Sequence, residues 1–403
     1  MSEHTDTISD FCNISSSKRI FAREYQSEGI PFWRGKEIVE KFHGKLEVST
    51  ELFIPEGRYE EIKAQSGVPK VGDILLTSVG TIGIPYLVSD TKPFYFKDGN
   101  ITWLQTKETV CAAYLYYWLI SPIGKRELSK CTIGVAQPAY TIVRLKRMSV
   151  AFPDLPTQER IAAILSAYDD LIENNRRRIA LLEQAARLLY REWFVHFRFP
   201  GHETAKIVDG LPEGWKSKTL SDHVELRKEA VKPGQFTNDD VHIGLEHIPR
   251  RSFVLSDWEE TDDLASHKLR FTAGDIIFGK IRPYFHKVGF ALRDGVASSD
   301  AFIWRVRDAR LWPLVVTATS SDHFVAVASK TVREGSKMPR ADWKVLANFN
   351  IPVPPLELLD DFNNKINPIS EECKKLALQN RQLIKARDLL LPRLMDGRIP
   401  VKV

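Results

Sequence analysis

The chain carries the same landmarks twice, about 200 residues apart, with different side chains between them. Each copy has a Gly-Asp pair before a short apolar run, a glycine-rich turn, and two later proline-containing signatures. The matching segments are Gly72-Asp73-Ile74-Leu75-Leu76 with Gly80 and Gly83 against Gly274-Asp275-Ile276-Ile277-Phe278 with Gly279; Gly134 and Gln137-Pro138 against Gly335 and Met338-Pro339; and Pro153 and Pro156 against Pro352 and Pro355. A repeated frame with different contents predicts one scaffold that presents two different binding surfaces.

Composition limits the class of protein. The length of 403 residues and the 43% apolar content favour two to three ordinary folded domains. The four cysteines lie far apart without a CxxC pair, which indicates a reducing cytosol, no disulfide framework and no zinc site; they are Cys12, Cys111, Cys131 and Cys373. The polar, acidic start and the lack of an 18-residue apolar run predict neither a signal peptide nor a membrane span, and hence a cytoplasmic location. The net charge of +5 permits a nucleic-acid partner.

A long heptad-patterned helix is predicted after each proline pair. Apolar residues step by alternating four and three positions, the 3.5-residue period of a coiled-coil seam. Thr157 is the expected N-cap of the first helix, and Pro200-Gly201 its expected end. The seam positions are Ile161, Leu165, Tyr168, Ile172, Asn175, Ile179, Leu182, Ala186, Leu189 and Trp193.

The second helix keeps the same steps at an offset of 201 residues. Pro368 is expected to kink this helix or mark its start, Arg387 to interrupt its seam, and Pro392 to end it near Leu391. Its seam positions are Phe362, Ile366, Ile369, Cys373, Leu376, Asn380, Leu383, Arg387, Leu390 and Leu394. Each seam holds one Asn, which costs stability and fixes register and partner choice.

Mutual pairing of the two helices is favoured because each one directly follows a repeat. The alternative is that they only help to fill a core. About 33 residues of helix make a rod of roughly 50 Å, and two antiparallel rods would hold two globular heads at opposite ends across a pseudo-twofold axis. The sequence therefore predicts an α/β (α+β) fold with two mixed, β-rich domains joined by two long antiparallel coiled-coil helices.

The predicted domains follow the repeat. They are residues 1–152 and 201–351 as globular domains, 153–200 as the central helix, and 352–403 as the C-terminal helix. Short apolar strands between Gly, Pro and Asp turns give each globular domain its β-rich character. A helix is predicted near Ala112 to Leu119, with a less clear counterpart around Trp312 to Ala328.

Basic residues mixed with aromatic and small polar residues mark candidate DNA contacts. In the second head these are Lys280, Arg282, Tyr284 and Lys287; in the first head they are Arg34, Lys36, Thr77, Ser78 and Thr81. Cations hold phosphates, and hydrogen-bonding side chains read base edges. The alternative is a charged, solvent-exposed face, with threonines that only bond the turn backbone and glycines that only supply positive φ.

Catalytic motifs are missing from the sequence. The Gly-Lys pairs lack the following Ser or Thr of a P-loop, no GxGxxG pattern occurs, and no tetrapeptide of an amino-methyltransferase is present. Gly80-Thr81-Ile82-Gly83 lacks the central Ser of a nucleophile elbow. The chain is therefore expected to bind rather than to catalyse, with no catalytic residue, metal site or cofactor of its own.

Together and in this order, these segments resemble the specificity (S) subunits of type I restriction–modification systems, over essentially the whole chain. The resemblance rests on the two Gly-Asp segments, the two proline pairs, Gln158-Glu159-Arg160-Ile161, Leu211-Pro212 with Gly214-Trp215, and Leu389-Leu390-Leu391-Pro392-Arg393-Leu394. The sequence departs from the family pattern at Pro368, at Arg387, and at Glu357-Leu358-Leu359, which stands in place of a Gln-rich helix entry.

The resemblance implies two target recognition domains, each reading one half of a split double-stranded DNA site, with helices that set the spacer and dock two modification (M) subunits. These would methylate adenine with S-adenosylmethionine, and restriction (R) subunits would use ATP and Mg²⁺ to cleave DNA in phage defence. The docking residues are then the seam positions Ile161, Leu165, Tyr168, Asn175, Ile179, Leu182, Leu376, Asn380, Leu383 and Leu390. Two alternatives are a self-contained DNA methyltransferase or nuclease with fused recognition domains, and a coiled-coil scaffold that binds no DNA.

Overall fold

The computed structural model describes residues 6–45, 48, 50–237, 239–261, 264–330 and 338–402. The repeat landmark Gly335 lies outside these residues. Backbone packing divides the chain into two compact units: unit 1 comprises Met1–Glu173 with Gln382–Val403, and unit 2 comprises Asn174–Arg381. Each unit therefore takes in part of both long helices. The predicted division into four consecutive segments remains a proposal about function.

The α-helices of the described residues are α1 Ile8–Phe11, α2 Gly35–Phe42, α3 Glu56–Ser66, α4 Ala112–Ile120, α5 Pro122–Lys130, α6 Ile142–Lys146, α7 Leu155–Tyr190, α8 Leu220–His223, α9 Trp312–Thr319, α10 Asp322–Lys330, α11 Trp343–Leu346 and α12 Leu356–Met395. Across the described part of the chain, no helix combines the length and the apolar character that crossing a bilayer requires.

The strands are short. They are β1 Cys12–Ser15, β2 Ile30–Trp33, β3 Phe53–Ile54, β4 Ile74–Thr77, β5 Pro85–Leu87, β6 Tyr95–Phe96, β7 Ile101–Thr106, β8 Thr132–Ile133, β9 Ala139–Tyr140, β10 Ile207–Val208, β11 Leu211–Pro212, β12 Lys216–Thr219, β13 Val224–Arg227, β14 Ala230–Val231, β15 Val241–Ile243, β16 Val254–Leu255, β17 Lys268–Phe271, β18 Ile276–Gly279, β19 Val288–Ala291, β20 Gly295–Ala297, β21 Ala301–Val306 and β22 Asn350–Val353.

The main sheet of unit 1 has the strand order β1-β7-β4-β5, with antiparallel neighbours throughout. Its central strand β4 is buried on both faces. Ile74 and Leu76 enter the core that includes α4, whereas Leu75 enters a second core with Trp33 and Phe96. Successive side chains of a strand point to opposite faces, so a strand between two cores is apolar at every position. This explains the unbroken apolar run that follows Gly72-Asp73.

The main sheet of unit 2 repeats this arrangement as β13-β21-β18-β19, with β16 added at the edge. Ile74 of β4 lies opposite Leu104 of β7, and Ile276 of β18 lies opposite Trp304 of β21. Two helices follow each sheet: α4 and α5 in unit 1, α9 and α10 in unit 2. The α/β prediction is confirmed, and α9 and α10 together form the counterpart that the sequence left less clear.

In unit 1 the long helices pair antiparallel. Ile161 and Leu165 of α7 are buried in one cluster with Leu391 and Leu394 of α12. Arg387 does not leave a gap in this seam, because its guanidinium pairs with the Asp169 carboxylate of α7. The predicted seam positions Tyr168, Leu383 and Leu390 are half-buried.

In unit 2 the two helices are also antiparallel. The Asn175 side-chain amide donates to Asn380 Oδ1 at 3.0 Å and to Gln379 Oε1 at 3.1 Å. Leu376 is buried, while Ile179 and Leu182 are half-buried against the unit 2 core. The two seam asparagines therefore face each other, as a register-setting pair requires.

The helix ends differ from the sequence prediction. α7 begins at Leu155, and Asp154 rather than Thr157 caps it, since its carboxylate accepts the Thr157 N–H at 3.3 Å. Pro156 fits in the first turn, where its missing N–H costs nothing. The regular part ends at Tyr190 rather than near Pro200, and a π-helical turn from Arg191 to Val195 follows.

Neither proline limits α12. The helix starts at Leu356, so Pro368 is not its beginning, and it continues beyond Pro392 to Met395. A helix-interior proline removes one backbone hydrogen bond and crowds the preceding turn. Burial of Phe362, Ile366 and Leu394 stabilises the helix on both sides of these positions.

Candidate nucleic-acid interface

The repeated aspartates hold the strand that leads to each candidate turn. Asp73 accepts the indole N–H of Trp103 at 2.8 Å and a backbone N–H three residues earlier at 3.0 Å. Asp275 accepts the corresponding backbone N–H at 2.8 Å and two guanidinium bonds from Arg305 at 2.8 and 2.7 Å. Burial raises the pKa of Asp73. The Gly-Asp landmark is therefore structural: each aspartate fixes the start of β4 or β18, and the candidate turn follows the other end of that strand.

In unit 1, hydrogen bonds of buried side chains stabilise the turn after β4. Thr77 and Ser78 are buried. Thr77 Oγ1 accepts the backbone N–H of Ile84 at 2.9 Å, and the hydroxyls of Ser78 and Thr102 lie 2.6 Å apart. Thr81 is exposed at the tip. Of the three small polar candidates, two shape the turn and Thr81 is the one on its surface.

The basic candidates of unit 1 lie at the start of α2. The backbone N–H of Arg34 donates to Glu37 Oε2 at 2.8 Å, and its side chain is 36% exposed with the guanidinium 3.4 Å from Glu37 Oε1. Lys36 is exposed in the first turn. A Cβ atom built on Gly35 would lie 3.9 Å from the Thr77 methyl, so this helix start packs beside the turn. The structure thus brings Arg34, Lys36 and the turn together.

In unit 2 the two lysine candidates point inward. Lys280 Nζ donates to the Ser299 carbonyl at 2.7 Å and lies 4.7 Å from the centre of the Phe302 ring. Lys287 Nζ donates to the Leu245 carbonyl. Burial lowers the pKa of both ammonium groups. These lysines therefore brace the loop between β18 and β19 from its inner side.

Arg282 and Tyr284 lie on the outer side of the same loop, and Tyr284 is 55% exposed. The Arg250 guanidinium lies 3.9 Å from the centre of the Phe285 ring, and the Arg282 guanidinium lies 5.8 Å from it. Arg282 and His286 have φ values of +50° and +55°. The left-handed region costs a non-glycine residue roughly 1–2 kcal/mol. The exposed Arg282 therefore occupies this conformation at an energetic cost, and such strained positions cluster at functional sites.

A second segment pairs with each turn, and the sequence did not identify it as part of the site. In unit 1, Val79 forms a β-bridge with Ala139; in unit 2, Ile281 forms one with Arg340. The bridged positions are 202 and 201 residues apart. The repeated Gln-Pro and Met-Pro landmarks directly precede the bridged residues. The sequence therefore showed that these segments are repeated, but it did not show that each one contacts a candidate turn.

One cluster of the described residues could offer three ligand atoms to a metal ion: His242, His247 and Glu259, with the atoms within 4.8 Å of one another. Hydrogen bonds already engage the imidazoles. His242 Nδ1 lies 2.6 Å from Glu259 Oε1, and the Gly244 N–H donates to His247 Nδ1 at 3.0 Å. The second bond leaves the proton of a neutral His247 on Nε2, the atom that would face the ion. We interpret the three residues as a hydrogen-bonded cluster that stabilises the loop around Gly244, and not as a metal site.

Comparison with known proteins gives a consistent result. Residues 4–184 match the family model of the type I restriction modification DNA specificity domain. The chain is 25% identical over 363 residues to the type I restriction enzyme MjaIX specificity subunit of Methanocaldococcus jannaschii, covering 82% of this chain and 78% of that protein. It is 25% identical over 267 residues to the EcoDI specificity subunit of Escherichia coli, covering 60% and 59%.

A solved structure shares the fold. The crystal structure of the type I restriction–modification S subunit from M. genitalium superposes with a TM-score of 0.58 at 13% identity, covering 98% of this chain and 97% of that one.

Proposed function

We propose that this chain, which belongs to the specificity subunits of type I restriction–modification systems, reads a bipartite DNA site, one half with each unit. DNA sequence recognition is the role of this family. The division of labour between the units is our inference, and it assigns the surface of each candidate turn to one half-site.

The observation that carries the proposal is the contrast between equal frames and unequal surfaces. β4 runs antiparallel to β7 as β18 does to β21, and a β-bridge braces the following turn in both units. The exposed side chains on these turns differ: Thr81 in unit 1, Arg282 and Tyr284 in unit 2. Two equal scaffolds with different surfaces are what reading two different sequences requires.

The chemistry of these surfaces suits a duplex. Arg34, Lys36 and Arg282 offer cations to phosphates, which fix orientation, and hydroxyl or guanidinium groups can read base edges. The aromatic ring of Tyr284 can pack against a sugar or base. Thr77, Ser78, Lys280 and Lys287 support these groups from within.

We assign catalysis to partner subunits. Leu181 and Leu188 are exposed and seven residues apart, so both lie on one face of α7. Such an apolar pair suits contact with a helix of a methyltransferase subunit. Two of these subunits would bring S-adenosylmethionine and methylate adenine, and restriction subunits would use ATP and Mg²⁺. The complex would work on DNA in the cytoplasm.

The proposal is tested by adenine methylation. The chain is co-expressed with the methyltransferase subunit of its own system in a host that lacks adenine methylation, and modified adenines are mapped across the genome. We expect one split motif with an unread spacer, and no modification without the chain. A continuous motif, or methyl transfer from labelled S-adenosylmethionine by the purified chain alone, would contradict the proposal.

A further inference from the structure

A short hairpin of unit 1 projects an uncharged tip into solvent. β8 and β9 pair Thr132 with Tyr140 and Ile133 with Ala139. The loop from 134 to 138 joins them, and four of its residues are exposed. Val135 has a relative exposure of 103%, so nothing in the unit covers it. The hairpin thus presents an apolar side chain for which unit 1 supplies no packing partner.

The base of this hairpin is fastened to the candidate turn. The Tyr140 N–H donates to the Ser78 carbonyl at 3.0 Å, beside the bridge between Val79 and Ala139. The tip is shaped by Gly134, whose φ is +79° and whose Cβ, if present, would lie 2.7 Å from the Gln137 carbonyl oxygen. The hairpin is therefore a defined extension of the turn already proposed to face DNA.

The flanks of the hairpin are basic. The stretch from Lys125 to Arg147 contains six Lys or Arg residues and one acidic residue, Glu127, and its net charge equals the +5 of the whole chain. The basic residues lie in α5 before the hairpin and in or next to α6 after it, all of them exposed: Lys125, Arg126, Lys130, Arg144, Lys146 and Arg147. Along the chain the uncharged tip thus lies between two cationic segments, the order of charge that suits a loop entering a groove between two phosphate strands.

We propose that the hairpin 132–140 is a DNA-reading finger of unit 1, with Val135 and Ala136 against base edges in the major groove of the first half-site. The major groove admits a two-stranded β-ribbon, and apolar side chains there contact the thymine methyl group. The basic flanks hold the phosphates on either side. This inference rests on the proposed function and adds the element that reads bases in unit 1.

The equivalent position of unit 2 carries other chemistry. Arg340 occupies the bridge position, and its side chain is 59% exposed with a guanidinium nitrogen 3.1 Å from Asp300 Oδ1. Arg340 corresponds to Ala139 at the base of the hairpin, so unit 2 places a guanidinium, which prefers guanine, where unit 1 has a small apolar side chain.

The test compares two exposed valines of unit 1. Val135→Asp places a carboxylate at the proposed base contact, and Val71→Asp is the matched control. Val71 is 56% exposed and lies before β4, at the opposite end of that strand from the turn. Each variant is assembled with methyltransferase subunits, and its binding to a duplex carrying the mapped site is measured by fluorescence anisotropy. Thermal unfolding is followed in parallel.

We expect Val135→Asp to weaken binding about 5- to 150-fold, the size of one mismatched base pair. Val71→Asp should bind as the wild type does, and neither variant should shift the unfolding temperature, because both side chains are exposed. Val135→Ala should relax one position of the first half-site in the methylation map and leave the second half-site unchanged.

The outcomes separate this proposal from the proposed function. If the wild-type complex modifies a split site and Val135→Asp binds it equally well, the finger is refuted and the function stands. An equal loss with Val71→Asp, or a loss of subunit assembly with unchanged DNA binding, would also refute the finger. If the wild-type complex recognises no site, the proposed function itself fails.

Discussion

We expect Arg282 to contribute to DNA binding through its side chain while its backbone conformation lowers the stability of unit 2. Its φ of +50° lies in the left-handed region, and its side chain is exposed. Arg282→Ala and Arg282→Gly both remove the guanidinium, but only glycine adopts this conformation without steric cost. The pair of variants therefore separates the contribution of the side chain from that of the backbone.

The magnitude follows from opposing terms. Left-handed backbone costs alanine roughly 1–2 kcal/mol, and the greater freedom of glycine in the unfolded chain costs about 0.5–1 kcal/mol. Arg282→Gly should thus be more stable than Arg282→Ala by about 0.5–1 kcal/mol. For a unit of this size, that difference raises the unfolding temperature by about 1–4 °C. Differential scanning calorimetry of the full chain measures it.

DNA binding should fall equally in both variants. Losing one phosphate contact lowers the slope of log affinity against log salt by about 0.9. Arg293→Ala is the matched control, because Arg293 is exposed and lies beyond the opposite end of β19. Equal stability of the Ala and Gly variants would refute the backbone argument. An unchanged salt slope would remove Arg282 from the interface.

Three further outcomes test the helices and the core of unit 2. Asn175→Leu should lower the free energy of unfolding by about 1–3 kcal/mol, whereas Asn175→Leu with Asn380→Leu should recover it, because an apolar pair replaces a hydrogen-bonded one; additive losses in denaturant melts would contradict this. Burial raises the pKa of Glu183, so the folded state binds its proton more tightly than the unfolded state and stability falls as pH rises from the ordinary glutamate pKa to the raised one. Glu183→Gln should flatten that dependence in melts taken across this range, and an unchanged slope would exclude Glu183 as its source. A heptad inserted after Glu173 and another after Arg381 should lengthen only the unread spacer, by up to about three base pairs; an unchanged spacer in an active complex, or altered half-site bases in the methylation map, would show that the helices do not set the spacing.

The repeat made much of the fold predictable. Gly72 and Gly274 have φ values of +94° and +88°, and the aspartate after each accepts bonds from the turn and from the neighbouring strand. These are local requirements that only a few residue types satisfy, so they leave a readable trace in the sequence. The 3.5-residue period of the helices is readable for the same reason, since burial of one face fixes it.

The direction of side chains in the loops was not predictable. Lys280 and Lys287 have the composition of a DNA surface, yet tertiary contacts turn them onto the carbonyls of Ser299 and Leu245. Pro368 does not mark the start of α12, because packing on both sides of this proline overrides its low local helix propensity. The basic stretch from 125 to 147 could have been found by counting charge along the chain.

The separation of frame from surface has an energetic basis. The groups that hold each turn are buried and hydrogen-bonded, and losing one typically costs about 1–3 kcal/mol. Exposed side chains such as Thr81 or Val135 can change within about 0.5 kcal/mol. New half-site preferences can therefore arise on the turns and the hairpin without unfolding the unit that carries them. Arg282 departs from this rule, because its backbone conformation is unfavourable for Arg. Because Arg282 lowers stability, we expect DNA binding to require its side chain.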